Sequence, residues 1–168
     1  MAELKKVAVI MGSDSDWKTV KAACEELARL GIPYEAHIMS AHRTPDKAAA
    51  FSKTARKRGF GVIIAAAGMA AHLAGAMAAN TTLPIIGIPI KGGAMDGLDA
   101  LLATVQMPSG IPVATVALGG AKNAAVLAAQ MLAINDEALA DKLDADREKM
   151  NTQIAEKDAW LQQELASL

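Results

Sequence analysis

The 168-residue chain carries 17 Lys and Arg against 18 Asp and Glu, a net charge of −1, which excludes the basic footprint expected of a nucleic-acid or anionic-membrane binder. Aromatic residues make up only 3%, too few for base-stacking platforms, and a single cysteine, Cys24, excludes an intrachain disulfide. The length suits one domain with a substantial core, and the apolar run Val7–Gly12 behind Lys5-Lys6 is too short for a secretory segment, so a reducing cytoplasm is expected.

Taken in chain order, the hydrophobic pattern alternates between strands and helices. Lys6–Met11 reads as a buried strand. Asp16–Leu30 reads as an amphipathic helix, with Val20, Cys24, Leu27 and Leu30 at helical spacing and Gly31 as its stop. Pro33–Met39 is the second strand. Pro45–Arg58 is a helix capped by Thr44, with Pro45 at its first position, where a missing N–H costs nothing. Gly61–Ala66 is the third strand, Ala70–Ala79 an Ala-rich helix and Leu83–Ile88 the fourth strand. A glycine-rich loop follows at Lys91–Gly93, and Asp96 is expected to cap a short helix ending at Val105. Ile111–Ala117 is the fifth strand, Asn123–Ala133 a further helix, and Asp136 caps a last helix that runs almost to the end. Residues 59–90 contain no charge and are long enough to span a bilayer, but His72, Asn80, Thr81, Thr82, Pro84 and Pro89 interrupt the run, which parses as strand, helix and strand. Alternating strands and helices without a repeat or linker give one α/β domain over 1–168, a parallel sheet between helical layers.

The last helix stands apart. Glu137–Leu165 would extend about 43 Å at 1.5 Å per residue. Its apolar positions Leu139, Leu143, Met150, Ile154, Leu161 and Leu165 form a narrow stripe between charged faces. Such a stripe seats against a partner, so residues 136–168 are expected to pack on a neighbouring subunit rather than along their own domain.

Ligands of open α/β sheets bind at the C-terminal ends of the strands, and every loop there carries chemistry. After the first strand, Gly12 permits a close turn, while Ser13 and Ser15 offer hydroxyls beside a helix N-terminus that suits an anion. Asp14 and Asp16 suit sugar hydroxyls better than phosphate, and the same Ser-Asp cluster is equally an ordinary helix cap. After the second strand comes Ser40-Ala41-His42-Arg43-Thr44-Pro45, a proton-transferring side chain next to a phosphate fork. His37, inside that strand, reads as structural. After the third strand, small residues around Gly68 allow a flat ligand to approach the backbone, and His72 follows in the helix start. After the fourth, Lys91–Gly97 is a flexible loop able to act as a lid. No HxxxH or CxxC spacing supports a metal site, and neither a P-loop lysine motif nor a GxSxG elbow is present. These residues together point to acid/base chemistry on a phosphorylated small molecule.

Met11–Trp17, Ser40–Pro45, Ala67–Leu73 and Gln106–Pro112, in this order, resemble the 5-(carboxyamino)imidazole ribonucleotide mutase family of purine biosynthesis over about residues 6 to 134. The resemblance implies a flavodoxin-like three-layer sandwich, a homo-octamer with active sites near subunit interfaces, and no metal or organic cofactor. It implies conversion of 5-(carboxyamino)imidazole ribonucleotide to 5-amino-4-imidazolecarboxylate ribonucleotide, with functional coupling to the ATP-dependent synthetase that makes the carbamate. By motif, His42 is similar to the family's general acid/base and His72 to its second active-site histidine. Ser13, Asp16 and Arg43 are similar to its ribose-phosphate contacts, and Gly12, Ser40, Gly68 and Leu73 fall in the same substrate-binding motifs. Many members have glycine where this chain has Met69 and proline where it has Ala74. Two rival readings are a carboxylase that takes carbon dioxide directly and a flavodoxin-like nucleotide-binding module. The carboxylase branch resembles the chain less at Arg43–Pro45 and Ala71–Leu73, and a flavin binder would want more aromatics than Trp17.

Overall fold

The computed structural model describes residues 4–168. The chain divides into two compact units, residues up to Leu132 and Ala133–Leu168.

In the first unit, β1 (Lys6–Met11), β2 (Tyr34–Ile38), β3 (Phe60–Gly68), β4 (Ile85–Ile90) and β5 (Ala114–Thr115) form one sheet in the order β2-β1-β3-β4-β5. Every pairing is parallel. The helices are α1 (Trp17–Leu30), α2 (Pro45–Ala55), α3 (Leu73–Ala78), α4 (Leu98–Val105) and α5 (Ala121–Ala133), whose last residue begins the second unit. β1 is an interior strand, flanked by β2 and β3, and nearly inaccessible, with Val7 to Ile10 at 0% exposure, because helices cover both faces. Ala8 and Ile10 of β1 share one cluster with Ile63 and Ala65 of β3, Ala48 and Phe51 of α2, and Leu73 and Met77 of α3. On the other face, the buried side of α1 carries Val20, Leu27 and Leu30, and that of α5 is all alanine. Glu26 of α1 reaches Lys122 of α5 at 3.8 Å. The result is the expected flavodoxin-like three-layer sandwich.

Two glycines set the packing. Lys6 pairs with Phe60 but Val7 with Val62, so Gly61 is an extra residue in β3. This bulge lets Phe60 and Ile63 serve the same cluster, and a Cβ at Gly61 would sit 2.7 Å from Leu132 Cδ2. In β4, a Cβ at Gly87 would collide with Thr104 of α4 and approach Val113 Cγ1 to 3.0 Å.

Several boundaries differ from the sequence reading for local reasons. The uncharged stretch resolves into β3, α3 and β4, and no helix among the described residues is long and apolar enough to cross a membrane. β5 shrinks to two residues, since Pro112 has no N–H to give the ladder. α3 starts at Leu73 rather than Ala70, because Ala71 N donates to Met69 O (2.9 Å) and His72 N to Ala70 O (2.8 Å), tight turns that use up residues 69–72. Thr44 does not cap α2 with its hydroxyl, which donates instead to Ser40 O at 3.1 Å and accepts from Ser40 N at 2.9 Å. Asp96 does not cap α4 either. Gly97, at φ 99°, holds the N-cap position.

The second unit is dominated by α6 (Glu137–Ala166). Asp136 caps it as read from sequence, its carboxylate accepting from Leu139 N at 2.9 Å. Thirty residues make a helix of about 45 Å. Met150, Ile154, Leu161 and Leu165 of its stripe are exposed.

Candidate active site

The strand order reverses direction at β1 and β3, so the loops leaving their C-terminal ends diverge and leave a crevice. A cleft of about 540 Å³ lies there. It is lined by Gly12, Ser13, Ser15 and Asp16 after β1, Ser40 to Arg43 after β2, Ala67 to Ala70 around the end of β3, Leu73 at the start of α3, Ile90 at the end of β4 and Lys91 to Gly93 after it.

The loop after β1 is held by its own side chains. Ser13 and Asp16 form a capping box around a single 3-10 turn, Asp14–Asp16. The Ser13 hydroxyl accepts from Ser15 N at 3.3 Å, and Asp16 Oδ2 accepts from Ser13 N at 3.1 Å. The cap alternative is therefore real, and it coexists with a position in the cleft wall. Gly12 is not at a left-handed φ, and an added Cβ would meet only ordinary contacts at 3.8 Å or more. Its lack of a side chain serves the open cleft floor, not the backbone. Asp16 is 7% exposed. Burial pushes its carboxyl above the usual 3.8, against hydrogen bonds from the Ser13 and Gly12 backbone and the nearby charge of Arg43, which pull it down.

The loop after β2 is equally self-contained. Met39 N donates to Met11 O at 2.9 Å, tying the end of β2 to β1. The Ser40 hydroxyl accepts from His42 N (3.3 Å) and Arg43 N (3.1 Å). Ser40 thus acts by fixing the backbone that presents both side chains. Arg43 Nη2 donates to Gly12 O at 2.9 Å, which lays its guanidinium across to the loop after β1.

The loop after β3 brings the second histidine. Met69 has φ 55°, a left-handed conformation that a glycine adopts freely and a long side chain does not. A glycine, which the family resemblance leads one to expect here, would take this conformation without strain. Ala74 lies instead in the core cluster, in the first turn of α3, where a proline would also fit. A Cβ at Gly68 would touch Ile90 O at 3.4 Å. His72, just before α3, meets His42. Its Nδ1 lies 2.8 Å from His42 Nε2, with ring centroids 5.0 Å apart and planes at 85°. One of the two nitrogens must carry a proton and the other accept it, so the contact holds a single shared proton.

Gly12, Ser13, Asp16, Ser40, His42, Arg43, Gly68 and Leu73 all line the cleft, and His72 joins them through His42. His37 lies elsewhere, against Glu35 Oε2 (3.2 Å) and edge-on to Phe51, as a structural residue does. Lys91 lines the cleft as well; the sequence reading gives its loop, Lys91–Gly97, a lid role but gives Lys91 itself no part in binding, although a cation directly after a buried parallel strand is a signal for one. Among the described residues no group of three His, Cys, Asp or Glu side chains is placed to hold a metal ion.

The family model for AIR carboxylase matches residues 6–153. The chain belongs to the AIR carboxylase family. It is 55% identical over 152 residues to the N5-carboxyaminoimidazole ribonucleotide mutase of Bacillus subtilis, covering 89% of this chain and 94% of that one. The protein of the same name from Saccharolobus solfataricus is 54% identical over 151 residues, 90% of this chain and 96% of the relative. Among solved structures, Treponema denticola PurE superposes with a TM-score of 0.81 at 30% identity, over 91% of this chain and 96% of that one. The likeness to the Treponema denticola structure thus extends over the sheet from whose strand ends the cleft opens.

The raised carboxyl of Asp16 has a consequence for stability. Ionising it is harder in the folded chain than in the unfolded one, so it lowers stability as pH rises past the unfolded value of 3.8 and keeps that cost at neutral pH. Asp16→Asn is expected to melt no lower than the parent at pH 7 while binding nucleotide at least several-fold more weakly. A clear drop in melting temperature with affinity retained would contradict a ligand-facing carboxylate.

Proposed function

We propose that this chain is an N5-carboxyaminoimidazole ribonucleotide mutase, moving a carboxylate from the exocyclic nitrogen of the aminoimidazole ribonucleotide to ring carbon four. The observation that carries the reading is the His42–His72 pair at the sheet's switch point, in a chain 55% identical to a protein named for this reaction.

The phosphate lies at the end of the cleft formed by Ser13 and Arg43, where hydroxyl and guanidinium supply donors. Asp16 accepts from ribose hydroxyls. The ring then extends over Gly68, whose bare backbone leaves room for a flat group. His42 protonates the exocyclic nitrogen as the carbamate C–N bond breaks, releasing carbon dioxide and a ring that is nucleophilic at carbon four. Leu73 and the small residues around Gly68 keep that carbon dioxide beside the ring, so recapture is effectively unimolecular. Carbon four attacks, its proton returns to His42, and the enzyme regains its starting state. His72, sharing the proton of His42, fixes the ring that does both transfers. Each step moves a proton or carbon dioxide, so the scheme calls for no metal or organic cofactor.

We further propose a cytoplasmic homo-octamer, with residues 136–168 packed on a neighbouring subunit and the labile carbamate supplied by the ATP-dependent synthetase. The exposed stripe Met150, Ile154, Leu161 and Leu165 supports the subunit contact.

Purified protein is expected to convert the carbamate substrate without bicarbonate or ATP. His42→Asn should keep the fold, since the side chain is exposed, and lose activity about a hundredfold or more. Wild-type turnover by this variant would remove His42 from the scheme. Truncation after Ile134 should give a smaller assembly or aggregation in light scattering, and an unchanged assembly would refute the interface role of α6.

A further inference from the structure

The cleft holds a second cation that the scheme above leaves idle. Lys91, the first residue after β4, lines it, and its Nζ lies 3.1 Å from Asp96 Oδ2. The two side chains are 68% and 75% exposed. An ion pair so open to water is nearly balanced against its solvated halves, so Lys91 can leave Asp96 at little cost. The loop is built to make the pairing. Gly93, Asp96 and Gly97 have φ of 72°, 52° and 99°, left-handed positions that fold Asp96 back over Lys91.

Position decides which part of a ligand Lys91 would meet. Arg43 is laid on Gly12 at the β1 end of the cleft, and Lys91 leaves β4, two strands away. At about 4.8 Å per strand this separates the two ends by roughly 10 Å. That is about the reach of a ribose 5-phosphate carrying an imidazole. A Cβ at Gly93 would lie 3.3 Å from Met69 Cγ, so the loop after β4 abuts the loop that carries His72. Arg43 and Lys91 are the two Lys or Arg side chains among the described residues lining the cleft. With Arg43 on the phosphate, the carboxylate at the ring end faces Lys91.

We propose that Lys91 is the carboxylate-recognition residue of this enzyme, parked on Asp96 in the free protein and exchanging it for the migrating carboxylate of the bound nucleotide. The proposal rests on the mutase reading.

Calorimetry with two nucleotides separates the possibilities: 5-amino-4-imidazolecarboxylate ribonucleotide, and its parent lacking the carboxylate, 5-aminoimidazole ribonucleotide. Lys91→Met keeps the apolar stem. It should weaken the carboxylated nucleotide about tenfold or more and leave the parent within about twofold. Asp96→Asn suits the left-handed φ, which asparagine tolerates, and frees the lysine. It should tighten the carboxylated nucleotide a few-fold without changing the parent. Equal losses for both nucleotides in Lys91→Met would assign the lysine to the phosphate, and no loss for either would make it a solvated surface charge; both outcomes overturn the proposal. Weaker carboxylate binding in Asp96→Asn would overturn the exchange. Failure of the mutase reading shows separately, as wild-type protein that binds these nucleotides but does not turn over the carbamate.

Discussion

His42 Nε2 and His72 Nδ1 are 2.8 Å apart although they leave different strands and lie thirty residues apart in the chain. A hydrogen bond of this length requires the two loops to be presented to each other in register. The rest of the fold supplies that register. β1 is buried on both faces and pairs with β2 on one side and β3 on the other, so the two histidine loops are hung from a common rigid strand. The Ser40 hydroxyl and the Met39–Met11 bond then hold one loop, and the tight turns at Ala70–His72 hold the other.

Local features that oppose stability gather in the loops around the cleft, among them the left-handed backbones of Met69 and Asp96 and the buried carboxyl of Asp16. Met69 takes a left-handed backbone that costs on the order of 1–2 kcal/mol for a residue with a Cβ. Asp16 is buried with its carboxyl pushed above its ordinary value. Neither is repeated in the core, where Ile, Val, Ala and Phe pack around the sheet and where no buried side-chain polar atom among the described residues is left without a partner. Strain and unfavourable burial gathered in the loops at the C-terminal ends of the strands are what a binding site imposes on an otherwise consistent fold.

Much of this was legible in the sequence because the signals are local. Val7–Met11 is a continuous apolar run and lies in a strand over Lys6–Met11; Asp136 before an amphipathic run caps a helix. His42 and Arg43 were readable as site residues because a strand pattern ends just before them and Pro45 opens a helix just after. What was not legible depends on contacts distant in the chain. The His42–His72 hydrogen bond requires β2 and β3 to flank β1, which no local pattern specifies. The late start of α3 follows from tight turns hidden in an Ala-rich, helix-favouring stretch. Asp96 looked like a cap because Asp before an apolar run usually is one, but here its carboxylate goes to Lys91 and the left-handed Gly97 begins α4. The Thr44 hydroxyl was drawn away from its helix in the same manner, by Ser40.

A pocket that keeps carbon dioxide beside the ring and a pocket that draws it from solution would share this fold, this cleft and this histidine pair. The origin of the transferred carbon separates them. Substrate carrying heavy carbon in its carbamate, turned over in unlabelled bicarbonate and analysed by mass spectrometry early in the reaction, should give product labelled at the new carboxylate. Complete loss of label in early product, with full activity on the bare aminoimidazole ribonucleotide at low bicarbonate, would contradict it.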